Sequence, residues 1–123
     1  MNNIPKLLAF SKIDTNNVEL SLIVNEDMIY FPGHFAIQAV SPGVALIDWA
    51  VYFSGEYFSI DINYLGMEVV KFNQVLKPNV EVTLSLEYKP DKNKIYYKYT
   101  SASGEHGSGR ILLAAQEEEL NDK

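Results

Sequence analysis

Apolar and polar residues alternate most regularly in VEVTLSLEY, residues 80–88, where Val80, Val82, Leu84, Leu86 and Tyr88 share one face. That period of two predicts a strand with one face buried. VELSLIV (18–24) alternates more roughly and predicts an earlier strand. Residues 66–77 predict another, separated from 80–89 by Lys77, Pro78 and Asn79. KPDKN (89–93) and SGE (103–105) are rich in turn residues and bracket a β-rich run, IYYKYTS (95–101). GSGRILLAA (107–115) predicts a fifth strand, with glycines that allow a bulge.

Between Gly43 and about Tyr57 the alternation disappears. GVALIDWAVYFSGEY is apolar on nearly every side, which predicts a buried helix. Pro42 stands where helices commonly begin, Ser41 can cap it, and Gly55 is placed to end it. The preceding stretch, 25–42, has no period and contains Asn25, Pro32, Gly33 and Ser41, so it reads as a long loop. Tyr30, Phe31 and Phe35 make it unusually aromatic for a solvated connector, and long packed loops often carry function. The order is strand, loop, buried helix, then four strands in hairpin succession. It predicts an α+β fold in which an antiparallel sheet of about five strands wraps one central helix.

With 123 residues, 47% of them hydrophobic, the chain predicts a single domain over 1–123, with a core from 16 to 115 and an acidic tail over 116–123. The absence of cysteine excludes disulfides, thiolate metal sites and a cysteine nucleophile. Two histidines, 34 and 106, lie too far apart in sequence to suggest a histidine metal site, so no metal or bound cofactor is expected. MNNIPKLLAFSKID has too short an apolar patch for an export signal, and no stretch approaches a membrane span. The expected location is cytoplasmic, without membrane association. A net charge of −6 argues against a nucleic-acid partner. The basic residues are nonetheless uneven. None occurs between Lys12 and Lys71, while Lys71, Lys77, Lys89, Lys92, Lys94, Lys98 and Arg110 crowd the later half. That bias reads either as a solvated strand face or as a local basic patch.

Three features carry candidate chemistry. Asp48 is the only ionisable residue between His34 and Glu56, inside the apolar helix. Burial there would favour its neutral form, as a general acid needs, unless backbone groups or a dimer seam satisfy it. His34 follows Gly33 between Phe31 and Phe35, where a neutral imidazole can act as a base or simply bond a carbonyl. Gly43 opens the helix, where unpaired amides carry positive potential and can hold a polarised carbonyl oxygen. Base, acid and oxyanion donor within fifteen residues suit proton abstraction beside a carbonyl with loss of a hydroxyl. His106, in a Gly/Ser turn, reads as a solvated surface residue.

FPGHF, then PG eight residues on, then VALID with the acid five residues after the glycine, resembles the 3-hydroxyacyl-acyl-carrier-protein dehydratases of the hotdog fold. His34 and Asp48 match that family's histidine and acid and their spacing of fourteen. Phe72, Val75 and Pro78 match its downstream strand and turn, so the resemblance runs from about 18 to 115. IDWA and the small size look closer to the dehydratase-like proteins of aryl polyene pigment clusters. The resemblance implies that His34 removes the C2 proton of a 3-hydroxyacyl thioester and that Asp48 protonates the leaving hydroxyl. It implies that the Gly43 amide binds the thioester carbonyl, with Val44, Phe35 and Phe72 at the substrate. It also implies a homodimer or a heterodimer of hotdog subunits, each site joining one subunit's histidine to its partner's acid. The substrate would arrive on the phosphopantetheine of an acyl carrier protein, which Lys71, Lys94, Lys98 or Arg110 could help dock. The departures are Ala36 and Ala39 in place of two prolines, Tyr52 where the family often has glutamine, and Pro78-Asn79-Val80 in place of Pro-Gly-Asp. Asparagine tolerates the left-handed conformation such a turn needs. A hotdog thioesterase using Asp48, and a weakly active partner subunit, are the alternative readings.

Overall fold

A computed structural model of the chain describes residues 4–24, 43–58, 63–74, 76–77 and 79–114. Its elements are β1 (Lys6–Asp14), β2 (Asn17–Ile23), α1 (Gly43–Phe58), β3 (Tyr64–Phe72), β4 (Glu81–Lys89), β5 (Lys94–Ser101) and β6 (Gly104–Leu113). One antiparallel sheet of six strands, ordered β1-β2-β4-β5-β6-β3, lies against the helix. This is the predicted α+β hotdog architecture, with two corrections. The sheet has six strands rather than about five, because β1 is an extra edge strand. Nor do the last four strands follow in hairpin succession: β3 pairs with β6, and only β4, β5 and β6 form a meander.

Alternation builds the core. Val18, Leu20 and Leu22 of β2, Val82, Leu84 and Leu86 of β4, Ile95, Tyr97 and Tyr99 of β5, and Ile111 and Leu113 of β6 turn inward. They meet Ala45, Leu46, Trp49, Ala50 and Phe53 of α1. The predicted turn at 89–93 joins β4 to β5, and Asn93 takes a left-handed φ of 54° there. Asn79 likewise has φ 65°, as the Pro78-Asn79-Val80 turn leads one to expect. In the β1–β2 turn the Asp14 carboxylate accepts from the Asn16 amide at 2.8 Å and from Asn17 Nδ2 at 3.0 Å. Those bonds, Asn17's first, hold its pKa below the usual carboxylate value.

The helix does not stop at Gly55. It continues to Phe58 because its last turn is held by rings: Tyr57 lies 5.1 Å from Phe10, and Phe58 5.5 Å from Tyr88. Such contacts outweigh glycine's helix cost of about 1 kcal/mol. No helix among the described residues is long and apolar enough to cross a membrane.

Candidate active site

The helix begins at Gly43, and no acidic residue within its first turn offsets the positive end of α1. A hydrogen bond ties this end to the sheet. Tyr99, fully buried on β5, donates its hydroxyl to the Leu46 carbonyl at 2.6 Å. Burial, then the neighbouring Tyr97, then the charge of Asp48 push the Tyr99 hydroxyl well above its ordinary pKa. It therefore stays a neutral donor and keeps the first turn of α1 in place.

Asp48 departs from its expected burial. It is exposed, and it shares one face of α1 with exposed Tyr52 and Glu56 at intervals of four. Ala45, Leu46, Trp49, Ala50 and Phe53 cover the sheet, while the stripe 48–52–56 turns away from it. Among the described residues, none buries the Asp48 side chain. Tyr52, in the place of the family's glutamine, sets its ring edge-on to Phe53 at 5.1 Å.

Phe72, one of the predicted substrate residues, ends β3 opposite Gly107 of β6 and is 56% exposed. A Cβ on Gly107 would lie 3.1 Å from the Lys71 carbonyl, 3.4 Å from Leu46 Cδ1 and 3.9 Å from Phe72 Cδ1. The missing side chain lets three elements converge: the first helical turn, the end of β3 and β6. Phe72 and Leu46, in the first turn of α1, therefore both lie beside Gly107. Gly43 is the first helical residue, and the backbone of Val44 follows it in the first turn. His34 and Phe35 lie outside the described residues, as do Ser41, Pro42 and the rest of 25–42.

His106 contradicts its sequence reading. It is 3% exposed, and its Nε2 lies 2.6 Å from Ser101 Oγ. The cause is a register shift: Tyr99 pairs with Gly107 but Thr100 with Glu105, leaving His106 as the extra residue of a bulge. Two consecutive residues, His106 and Gly107, are thereby buried. The His106 carbonyl accepts from the Asn73 amide at 2.9 Å, and Gln74 Nε2 donates to the carbonyls of Ser103 at 3.0 Å and Glu105 at 3.2 Å. This network ties the β5–β6 turn to the segment after β3. That segment reaches Asn79, whose amide donates to the Val24 carbonyl at 2.7 Å, immediately before the stretch that carries His34. Sequence reasoning missed Tyr99, Gly107 and His106; the only hint was the glycine spacing in GSG, which permitted a bulge.

Comparison with known proteins extends the picture. The family model of the ApeI dehydratases matches residues 11–110. A solved structure titled the dehydratase heterocomplex ApeI:P, from Xenorhabdus doucetiae, aligns with a TM-score of 0.84 and 24% identity, covering 89% of this chain and 97% of that one. An uncharacterized protein from Erwinia carotovora subsp. atroseptica aligns at 0.80 with 30% identity, covering 89% and 95%. The dehydratase domain of PpsC from Mycobacterium tuberculosis aligns at 0.66 with 16% identity, covering 89% of this chain and 44% of that one, and shows the shared fold. No curated protein sequence matches. The model match spans four fifths of the chain and includes the stretch from His34 to Asp48, so the chain belongs to the ApeI-like dehydratase family.

Proposed function

We propose that this dehydratase-family protein removes water from a 3-hydroxyacyl thioester carried on an acyl carrier protein, in fatty-acid-like or aryl polyene synthesis. His34 takes the C2 proton. The C2–H electron pair forms the C2=C3 double bond, and the C3–O bond breaks as Asp48 protonates the departing hydroxyl. The products are a trans-2-enoyl thioester and water. The Gly43 amide holds the thioester oxygen where negative charge develops, at a helix start with no acidic residue in its first turn. Phe72 and Val44 flank the acyl group, with Phe35 on the loop side. No bound cofactor takes part; the thioester arrives on phosphopantetheine.

The observation that carries this reading is the exposure of Asp48 on a helix otherwise seated on the sheet. An acid on that stripe belongs to a site finished by a second subunit, whose covering surface supplies the desolvation a general acid needs. Edge strand β3 supports the same arrangement. Tyr64, Leu65, Val69 and Phe72 are each at least half exposed along it, at the edge of the sheet formed by the described residues. The second subunit is another copy or a different hotdog chain. The solved ApeI:P assembly, itself a heterocomplex, favours considering the latter.

The test is to incubate the purified protein with a 3-hydroxyacyl carrier protein and follow the intact acyl-carrier by mass, with His34→Ala alongside. Loss of one water, absent in His34→Ala, is expected. Release of free carrier thiol would establish a thioesterase instead. No change with the protein alone, and water loss only after a second hotdog subunit is added, would show that the working enzyme is the heterodimer.

A further inference from the structure

On the side of the sheet away from α1 lies a groove of about 430 Å³ that the dehydratase reading does not use. Its floor follows from the strand register. Glu19 pairs with Ser85, Ser85 with Lys98, Lys98 with Ser108, and Ser108 with Lys71. These residues form one row across β2, β4, β5, β6 and β3, and all line the groove. At the spacing between neighbouring strands, Lys98 and Lys71 stand about 10 Å apart with Ser108 between them. Arg110, two residues beyond Ser108 and on the same face, closes the third side. Three cations therefore surround one hydroxyl. Among the described residues Lys71 and Lys98 form no salt bridge, whereas Arg110 reaches Glu68 at 3.2 Å.

Lys71 is in this row only because β3 is irregular. Glu68 pairs with Arg110, but the next partners are Lys71 and Ser108, so one extra residue is accommodated between them. A regular ladder would place Val70 opposite Ser108 and turn Lys71 to the other face. The irregularity is costly: Val69 takes φ 53°, a left-handed conformation that β-branched residues avoid. Backbone strain that delivers a lysine into a cationic groove is the pattern found at ligand clamps.

The opposite wall has the other sign. Glu19 and Glu87 line the β2–β4 end. That distribution repels a broadly acidic protein surface, so it does not suit the carrier docking suggested by the basic bias. It suits a compact ligand with an anionic end and a donor-bearing end. We propose that the groove binds a small phosphorylated metabolite, its phosphate over Ser108 between Lys71, Lys98 and Arg110, and its amine or amide donors toward Glu19. The proposal is independent of the reaction at Asp48.

Isotope-labelled full-length protein would be titrated with adenosine 5′-monophosphate and with inorganic phosphate at constant ionic strength, and amide resonances followed. Both probes are expected to shift Lys71, Lys98, Ser108 and Arg110 saturably. Lys98→Ala, at an exposed site that leaves the fold intact, weakens both by about tenfold, as loss of a charge-assisted contact does. Glu19→Gln weakens the nucleotide and spares inorganic phosphate. Shifts that sodium chloride reproduces, or that persist unchanged in Lys98→Ala, overturn the proposal. So does a response of these residues to an acidic carrier protein with none to either probe.

Discussion

Tyr97 and Tyr99 lie two residues apart on β5, both buried, with rings 6.0 Å apart. Their hydroxyls have opposite fates. Tyr99 donates to Leu46, whereas Tyr97 Oη has no hydrogen-bond partner among the described residues and is closed against Gly109. Removing the same oxygen should therefore change stability in opposite directions. Tyr99→Phe loses a buried hydrogen bond, at a net cost of about 1 kcal/mol. The Leu46 carbonyl keeps its helical partner, which limits the loss. Tyr97→Phe removes a desolvated, unsatisfied hydroxyl and should gain about 1–2 kcal/mol. For a chain of this size each kcal/mol moves Tm by roughly 3–5 °C, so the two variants should separate by about 6–15 °C. Calorimetry or urea unfolding at matched protein concentration would measure this, since self-association alters apparent stability. Titration adds a second check. Burial raises the Tyr97 pKa from 10.0 to about 12. The unfolded chain loses this proton first, so stability falls as pH rises between those values, and part of that fall should vanish in Tyr97→Phe. Equal destabilisation by both substitutions would refute the reasoning, because it would mean the Tyr97 hydroxyl is satisfied in the folded protein.

Gly107→Ala should destabilise the protein by about 1–3 kcal/mol, since the new methyl meets the Lys71 carbonyl at 3.1 Å and backbone must yield; hydrogen exchange should rise where β3 pairs with β6. Val69→Asn should stabilise it by up to about 1 kcal/mol in urea unfolding, because asparagine tolerates the left-handed backbone that valine resists. Asp48→Asn should abolish water loss in the carrier-bound assay while leaving Tm within roughly 2 °C of the parent, as expected for an exposed position.

Much of the fold was legible. β2, β4 and β5 each bury one face, so their period of two survives in the sequence. β1 was missed because all nine of its residues are exposed, leaving no buried face to impose alternation. The β3 partner was misread because chain adjacency to β4 suggested a hairpin, and a pairing with β6 that skips two strands of the chain leaves no local sign. The spacing of His34, Gly43 and Asp48 could be read directly. Asp48's environment could not: the apolar surround of α1 includes half-buried Ile47 and Val51 as well as the core-facing residues, so apolar composition overstated burial within one chain. His106 was hidden for a different reason. A bulge shifts the phase of alternation, and one histidine between glycines gives no sign of which phase applies.

The separation of β3 from β4 also orders events during synthesis. The β4–β5–β6 meander assembles from neighbouring segments, through short loops that close quickly. β3 precedes it in the chain, yet among the described residues it pairs with β6 alone, so that pairing must wait until Leu113 has left the ribosome. Until then an apolar strand without a partner is exposed on the nascent chain, the kind of segment that chaperones bind. The proposed joining of a second subunit along β3 would consequently be post-translational, and truncation before β6 should yield insoluble chains rather than a smaller folded domain.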